Sequence, residues 1–282
     1  MAAEIQNKGY DSMKTRIITS AVASAVVITV LFFRFTVAMP ITLAIIGAVG
    51  VFEIFKATRS NYNIPMFIIS LLFSLFIPFC GAGYLAIPLN VVFYWYFLIF
   101  SATVMFKFET SKLSRCFVSF VMTSALVFGL SCAHTMFYLN HGMFYFLLAA
   151  FCAFVTDAGA YFVGITVGKH HFAPIVSPNK TIEGSVGGLA SSLVVNIIFA
   201  FIYSYAFAGG AKINFTVLII TVLIASFAGM IGDLIASAVK RTYGIKDYGK
   251  ILPGHGGIMD RCDSIIYSLA VVMMISQSYS IF

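Results

Sequence analysis

Long runs of apolar residues, separated by short polar segments, fill the chain from Arg16 to the C-terminus. The runs are continuous and about 20 residues long, which is the length that an α-helix needs to cross a bilayer. Strands of a membrane β-barrel would instead alternate apolar and polar positions over about 10 residues. The pattern therefore predicts an all-α polytopic integral membrane protein. Its nine predicted transmembrane helices lie at residues 17–33, 37–57, 65–83, 86–106, 115–133, 143–165, 187–207, 213–239 and 263–281.

The composition supports this prediction. Hydrophobic residues make up 61% of the 282 residues and only 10% are charged, against about 25% in soluble proteins. The mean hydropathy is +1.00. The polar stretch 1–12 precedes Met13, so we expect it to be an added tag and treat residues 13–282 as a single membrane domain. The five cysteines show no metal-binding spacing, so we expect neither a zinc site nor a disulfide framework.

The distribution of lysine and arginine predicts the orientation in the membrane. When the segments between spans are assigned to alternating sides, Arg34 and Lys212 fall on one side and the other 15 of the 17 basic residues on the N-terminal side. Basic residues concentrate in cytoplasmic loops. We therefore expect a cytoplasmic N-terminus, an extracytoplasmic C-terminus, and loops 166–186 and 240–262 facing the cytoplasm from an inner or plasma membrane. Because the basic residues are scattered between spans, we expect no nucleic acid partner.

Acidic side chains lie within or beside the predicted spans, where a charge at mid-bilayer costs about 2.5–3.5 kcal/mol and is usually functional. They are Glu53, Asp157, Asp233, Asp260 and Asp263. Asp260 and Asp263 are three residues apart, so we expect their side chains to share one face of the last helix. Capping of the helix N-terminus would explain one of these two aspartates. Both of them together with Asp233 are instead typical of a site for a hard cation such as Mg²⁺. We expect Glu53 to pair with Lys56, with a place in the site as the alternative, and the role of Asp157 stays open.

The two long loops supply cations and small polar groups around these acids. Loop 240–262 is basic, but its interleaved acids argue against a patch that only attracts anionic lipid. Loop 166–186 contains Ser177-Pro178, which resembles a helix N-cap followed by proline at the first helical position. It also contains Lys180, a candidate phosphate clamp. We expect the two loops to form the walls of one pocket for a metal–polyphosphate complex, although an ordinary polar connection is the alternative for loop 166–186.

Three further features have plainer interpretations. Gly164 and Gly168 are spaced for close packing of helices. His170 and His171 are adjacent and cannot share a helix face, so we interpret them as interfacial. His255 either packs its ring within the loop or donates to a phosphate.

Two sequence motifs resemble those of a known enzyme family. The first runs Ser237-x-x-Lys240-Arg241-x-x-x-x-Lys246-Asp247 and continues as Leu252-Pro253-x-His255-Gly256-Gly257-x-x-Asp260-Arg261-x-Asp263. It resembles the signature of the phosphatidate cytidylyltransferases, also called CDP-diacylglycerol synthases. The element Ser177-Pro178-x-Lys180-Thr181-x-Glu183-Gly184 is similar to theirs as well. Cys262 departs from the signature, where an apolar residue is usual, and the first four spans match only in being hydrophobic.

The resemblance implies the reaction of CTP with phosphatidate to give CDP-diacylglycerol and pyrophosphate, a nucleotidyltransferase step of phospholipid biosynthesis. It also implies Mg²⁺ as cofactor, with a second cation left open. The phosphate nucleophile is already ionised near neutral pH, so we expect the carboxylates to bind metal rather than to carry protons. The expected partners are CTP and phosphatidate of the cytoplasmic leaflet, and homo-oligomerisation stays open.

The patterns of charged and polar residues, together with this resemblance, predict a set of site residues. The expected catalytic residues are Asp233, Asp260, Asp263 and Lys180, of which the three aspartates are the expected metal ligands. The expected substrate-binding residues are Ser177, Asn179, Thr181, Glu183, Lys240, Arg241, Lys246, Asp247, His255, Gly256, Gly257 and Arg261.

Two other functions remain open from the sequence alone. A CTP-dependent lipid kinase would let a lipid hydroxyl attack the γ-phosphorus, would need a general base and would release CDP. A cation transporter would use the intramembrane acids as an ion path, but the lack of acids in the outer half of the predicted spans argues against it.

Overall fold

The computed structural model describes residues 19, 21–22, 25, 28–60, 63–80, 84–85, 87–106, 112–254 and 256–282. The expected tag, part of the first predicted span and His255 therefore lie outside the described residues. Within them, the secondary structure is helical, with isolated β-bridges only. The helices are α1 (Ala38–Ala57), α2 (Ile64–Cys80), α3 (Leu89–Phe106), α4 (Leu113–Met136), α5 (Gly142–Val167), α6 (Ile182–Phe207), α7 (Phe215–Thr242), α8 (Met259–Cys262) and α9 (Ile265–Ser278).

The all-α class is confirmed. Six helices of the described chain, namely α1 and α3 to α7, are long and apolar enough to cross a membrane, whereas α2 and α9 are shorter apolar helices. The last predicted span, 263–281, is longer than α9, because the chain turns at Asp263 and Ser264 and is extended again from Tyr279. These helices support an integral membrane protein, while the count of nine spans and the orientation stay predictions.

The chain divides into two compact units. The first comprises Met1–Thr123 with Ile245–Arg261, and the second comprises Ser124–Gly244 with Cys262–Phe282. In the first unit, α1 packs against α2 and α2 against α3. The Phe73 and Tyr96 rings stack with centroids 3.9 Å apart, and the Tyr96 hydroxyl shares a 2.9 Å hydrogen bond with Ser70. The expected single membrane domain stays a prediction.

In the second unit, α5 packs against α6, α7 and α9. Its apolar core includes Phe144, Leu148 and Val222, all fully buried. Polar groups inside the unit bond to one another, as in the 2.8 Å hydrogen bond between the Ser192 and Ser226 hydroxyls. Because lipid is as apolar as a leucine side chain, such close packing and hydrogen bonding hold membrane helices together.

Candidate functional site

An ion pair in the second unit joins the loop before α6 to helix α7. The Nζ of Lys180 lies 2.5 Å from Oδ2 of Asp233, with 23% and 26% of their side-chain surfaces exposed. The Ser237 hydroxyl, one turn along α7, donates to Oδ1 of Asp233 at 3.5 Å. The structure thus brings together two residues that the sequence predicted to be catalytic, and Lys180 neutralises part of the charge of Asp233.

Two more carboxylates lie near Asp233. Asp263 is only 8% exposed, and it interacts electrostatically with Asp233, Lys240 and Asp157. The Ser264 hydroxyl donates to Oδ2 of Asp157 at 3.2 Å. Asp157, Asp233 and Asp263 thus lie near one another in the second unit.

This cluster suits a hard cation. Among the described residues, no three histidine, cysteine, aspartate or glutamate side chains already form a site for one metal ion. Mg²⁺ usually keeps several waters and is held by one or two carboxylates together with substrate phosphates, so a complete protein cage is not required. The mutual repulsion of Asp157, Asp233 and Asp263 fits an ion of this kind, and Mg²⁺ itself stays a prediction.

Two glycines of α7 allow the chain around α9 to come close. A Cβ at Gly232 would lie under 3.0 Å from the main-chain oxygen of Asp263 and from the Tyr267 ring, and a Cβ at Gly229 would lie 2.7 Å from the Ser268 hydroxyl. Real Cβ atoms essentially never approach other atoms so closely. Gly232 therefore sets how near the backbone of Asp263 can lie to α7, the helix that carries Asp233.

The start of α6 differs from the prediction. Its N-cap is Thr181, whose hydroxyl accepts a hydrogen bond from the amide of Gly184 at 3.1 Å. The predicted cap at Ser177-Pro178 is wrong, because residues 178–179 form a turn and the Lys180 amide donates to the Ser177 carbonyl at 3.2 Å. The buried hydroxyl of Thr181 is engaged in the cap, and the turn places Lys180 directly before it.

Glu183 and Arg241 hold the loop between α5 and α6. Oε2 of Glu183 accepts hydrogen bonds from the amides of Lys169 at 3.1 Å and His170 at 3.2 Å, and its Oε1 lies 2.5 Å from Nδ1 of His170. Nε of Arg241, near the end of α7, donates to the carbonyl of Val176 at 3.3 Å. The interfacial interpretation of His170 therefore missed its partner. The predicted contacts of Glu183 and Arg241 with substrate stay predictions.

Helices α5 and α6 approach closely at glycines. A Cβ at Gly184 or Gly188 would lie under 3.0 Å from a main-chain oxygen of α5. A Cβ at Gly168 would meet the Thr181 side chain at the start of α6. The predicted close packing at Gly164 and Gly168 is confirmed, and it fixes the beginning of α6 against the helix that carries Asp157.

In the first unit, Asp260 organises loop 245–261. Its Oδ2 accepts hydrogen bonds from the amides of Tyr248 at 2.8 Å and Gly257 at 3.0 Å. Within this loop the Leu252 amide donates to the Gly256 carbonyl at 3.0 Å. Gly256 has a φ of +86°, a conformation that favours glycine. The loop is therefore closed by its own hydrogen bonds, and Gly256 and Gly257 of the motif lie inside the closure.

The prediction that Asp260 and Asp263 share a face of one helix is wrong. Helix α8 ends at Cys262, Asp263 and Ser264 form a turn, and α9 begins only after it. Oδ1 of Asp263 accepts a hydrogen bond from the Ser264 amide at 2.9 Å, which stabilises the turn. The two aspartates therefore belong to different elements, and their joint binding of metal stays a prediction.

Glu53 of α1 is 1% exposed and contacts the same loop of the first unit. Its Oε2 accepts a hydrogen bond from the Met259 amide at 2.9 Å. A Cβ at Gly249 or Gly257 would lie under 3.0 Å from the Glu53 carboxylate. The carboxylate therefore occupies the space where a side chain at either glycine would stand.

The predicted pairing of Glu53 with Lys56 is wrong. The Lys56 ammonium lies over the Phe52 ring, 6.0 Å from its centroid. Among the described residues, the ion pairs are Lys180 with Asp233 and His170 with Glu183. Burial of the Glu53 carboxylate against the loop explains the difference.

The remaining predicted site residues fall into two groups. Ser177 and Lys240 are half-buried. The exposed ones are Asn179, Lys246, Asp247 and Arg261.

Comparison with known proteins agrees with the motifs. The model of the cytidylyltransferase family matches residues 14–279. The chain belongs to the cytidylyltransferase family. This membership confirms the resemblance on which the expected reaction was based.

Three relatives of this cytidylyltransferase-family chain carry the same name. The phosphatidate cytidylyltransferase of Staphylococcus haemolyticus is 38% identical over 176 residues, which cover 62% of this chain and 64% of that protein. The one of Staphylococcus aureus is 33% identical over 263 residues, or 92% and 97% of the two chains. The one of Bacillus subtilis is 32% identical over 280 residues, or 95% and 99%. The match thus spans about two thirds of the first relative and nearly all of the other two.

Sequence reasoning missed two features of this member of the cytidylyltransferase family. Gly232 was not recognised as a point of close approach to the backbone of Asp263, although it stands next to Asp233. Gly249 and Glu53 were not connected, because some 200 residues of sequence separate them. A buried carboxylate within an apolar run was the available signal for Glu53, and it was assigned to the nearest lysine instead.

Proposed function

We propose that this chain transfers CMP from CTP to phosphatidate, giving CDP-diacylglycerol and pyrophosphate. An oxygen of the phosphatidate phosphate attacks the α-phosphorus of CTP, and a new P–O bond forms as the bond to the β-phosphate oxygen breaks. Pyrophosphate leaves with that oxygen, so no proton has to be removed from the nucleophile. The observation that carries the proposal is the cluster of Lys180, Asp233, Asp263 and Asp157 in a chain of the cytidylyltransferase family.

The residues of the cluster have separate roles in this proposal. Asp233 and Asp263 would hold Mg²⁺, which supplies charge neutralisation at the phosphates. Lys180, adjacent to Asp233, contacts a phosphate oxygen and offsets the negative charge that accumulates in the transition state. Lys240, in the last turn of α7, adds positive charge beside Asp263. Asp260 keeps loop 245–261 closed, and its role as a metal ligand is retained as a prediction.

We further propose nine spans with a cytoplasmic N-terminus, so that the site opens to cytosolic CTP and to phosphatidate of the cytoplasmic leaflet. The one-sided distribution of basic residues supports this orientation. In a variant without the native cysteines, His171→Cys should react with an impermeant maleimide from the cytoplasmic side. Lys212→Cys should react from the opposite side, and the reverse pattern would contradict the orientation.

The reaction itself is tested by product identification. Purified protein in phosphatidate-containing vesicles receives CTP and MgCl₂, and the lipid and aqueous products are identified by mass spectrometry. The proposal requires a lipid that carries CMP and one pyrophosphate for each such lipid. CDP together with a phosphorylated lipid would indicate a kinase and contradict the proposal, as would ion flux without any turnover.

A further inference from the structure

Glu53 is the buried carboxylate that the proposed mechanism does not use. It lies on α1, in the half of the chain that carries none of the motif residues. Its Oε2 accepts the Met259 amide at 2.9 Å, one residue before Asp260. Its Oε1 has no hydrogen-bond partner among the described residues. A buried polar oxygen without a partner costs stability.

The loop packs directly against the Glu53 carboxylate. For a Cβ at Gly249, the three nearest heavy atoms all belong to the Glu53 side chain, and the same holds for a Cβ at Gly257, at 2.5 to 2.6 Å. Neither glycine has a positive φ, so backbone conformation does not require glycine there. Glycine is required at both positions because the main chain of the loop lies directly against the Glu53 carboxylate.

We infer that Glu53 is a positioning residue for the reaction: it sets the place of loop 245–261 by contact with Gly249 and Gly257 and by its hydrogen bond to Met259. The inference rests on the proposed function, since the loop carries Asp260 and the Gly256-Gly257 pair of the motif. In this role Glu53 acts through the loop backbone rather than by direct contact with substrate or metal. It fixes the loop backbone at both ends of the segment that Asp260 closes through the amides of Tyr248 and Gly257.

Glu53 performs this role through its shape and hydrogen bonding rather than through its negative charge. Glu53→Gln keeps the volume of the side chain and an oxygen that accepts the Met259 amide. We expect its kcat to stay within about 5-fold of wild type. Glu53→Ala removes both, and kcat should fall by about 10-fold or more, because a displacement of about 1 Å in a positioning element costs up to about 10²-fold. Equal losses in the Gln and Ala variants would show that the negative charge is needed and would overturn the inference.

A double-mutant cycle tests the contact itself. Gly249→Ala should lower kcat by about 10-fold while Glu53 is present. In the Glu53→Ala background the same substitution should change kcat by less than about 3-fold, because the atoms that it meets are gone. Losses that multiply in the double variant would mean that the two residues act independently, and the inference would fail. Should Glu53→Ala not fold, Glu53→Asp provides the shortened side chain for the same cycle.

Ser70→Ala is the matched control. It removes a buried hydrogen bond to Tyr96 in the same unit without contacting the loop. Its melting temperature should fall while its kcat stays within about 2-fold of wild type. If Glu53→Ala behaves like Ser70→Ala, with reduced stability and unchanged kcat, then Glu53 is merely structural and the inference is wrong. The wild-type assay distinguishes failure of this inference from failure of the proposed function. If the wild-type protein forms no CDP-diacylglycerol, it is the proposed function that is refuted.

Discussion

The substitution Gly232→Ala tests whether the spacing between α7 and Asp263 matters for turnover. The added Cβ would lie under 3.0 Å from the Asp263 carbonyl oxygen and from the Tyr267 ring. The Tyr267 ring can tilt, but the carbonyl oxygen belongs to the main chain. Relief of the clash therefore has to move the turn that carries Asp263.

The size of that movement sets the expected effect. Ordinary van der Waals contact begins at 3.4 Å, so the turn has to retreat from α7 by about 1 Å. A misplacement of this size near reacting groups costs about 10²-fold in rate, or about 2.7 kcal/mol of transition-state stabilisation. Overpacking itself costs about 1–3 kcal/mol of stability. We therefore expect kcat to fall by about 10²-fold in a protein that still inserts.

The assay is steady-state release of pyrophosphate from CTP by protein in phosphatidate vesicles, at several Mg²⁺ concentrations. Gly164→Ala is the matched control, since it adds the same methyl group in the second unit, where the nearest atom is the Thr181 hydroxyl oxygen at 3.3 Å. Its kcat should change by less than about 5-fold. A Gly232→Ala protein with wild-type kcat and Mg²⁺ dependence would show that the position of Asp263 relative to α7 is not critical, and the reasoning would be refuted.

Three further predictions concern the charged residues of the second unit. Lys180→Ala should lower kcat by about 10²-fold rather than only raise the KM for CTP, and Lys180→Arg should restore little activity if a compact charge is required. Steady-state kinetics with CTP varied test this. A change in the KM for CTP alone would show that Lys180 only binds the substrate. Asp263→Asn should reduce Mg²⁺-dependent turnover by at least about 10²-fold, and near-wild-type turnover would exclude Asp263 as a ligand. Glu183→Ala should lower kcat/KM by about 3- to 10-fold, because two loop amides lose their acceptor; equal values for wild type and variant would show that the loop does not need this anchor.

The helices were largely predictable from the sequence, because the apolar runs are long and their ends are polar. The predicted span 187–207 nevertheless began five residues late, since α6 starts at Ile182. Small and polar residues in its first turns lower the local hydropathy, whereas the Thr181 cap fixes the true beginning. The break between α8 and α9 was also missed. Asp260 and Asp263 are three residues apart, and this spacing is typical of one face of a continuous helix.

The residues of the site were easier to predict than their partners. Lys180, Asp233 and Asp263 follow from charge in an apolar context and from the motifs. Their arrangement depends on contacts between segments far apart in sequence, such as Lys180 with Asp233 and Glu53 with Met259. Local patterns cannot specify such pairs, and the nearest opposite charge is a poor guide, as Lys56 beside Glu53 shows.

The loop closed by Asp260 also limits how the protein can change in length. Its carboxylate holds the amides of Tyr248 and Gly257 at once, so one inserted or deleted residue between them would pull an amide from its acceptor. The connection between α6 and α7 is the opposite case, because Cβ atoms at Gly209 and Gly210 would meet no described atom within 4 Å. Epitope tags or fused domains are therefore best inserted at Gly209-Gly210, while the segment from Tyr248 to Gly257 should tolerate no change in the number of residues.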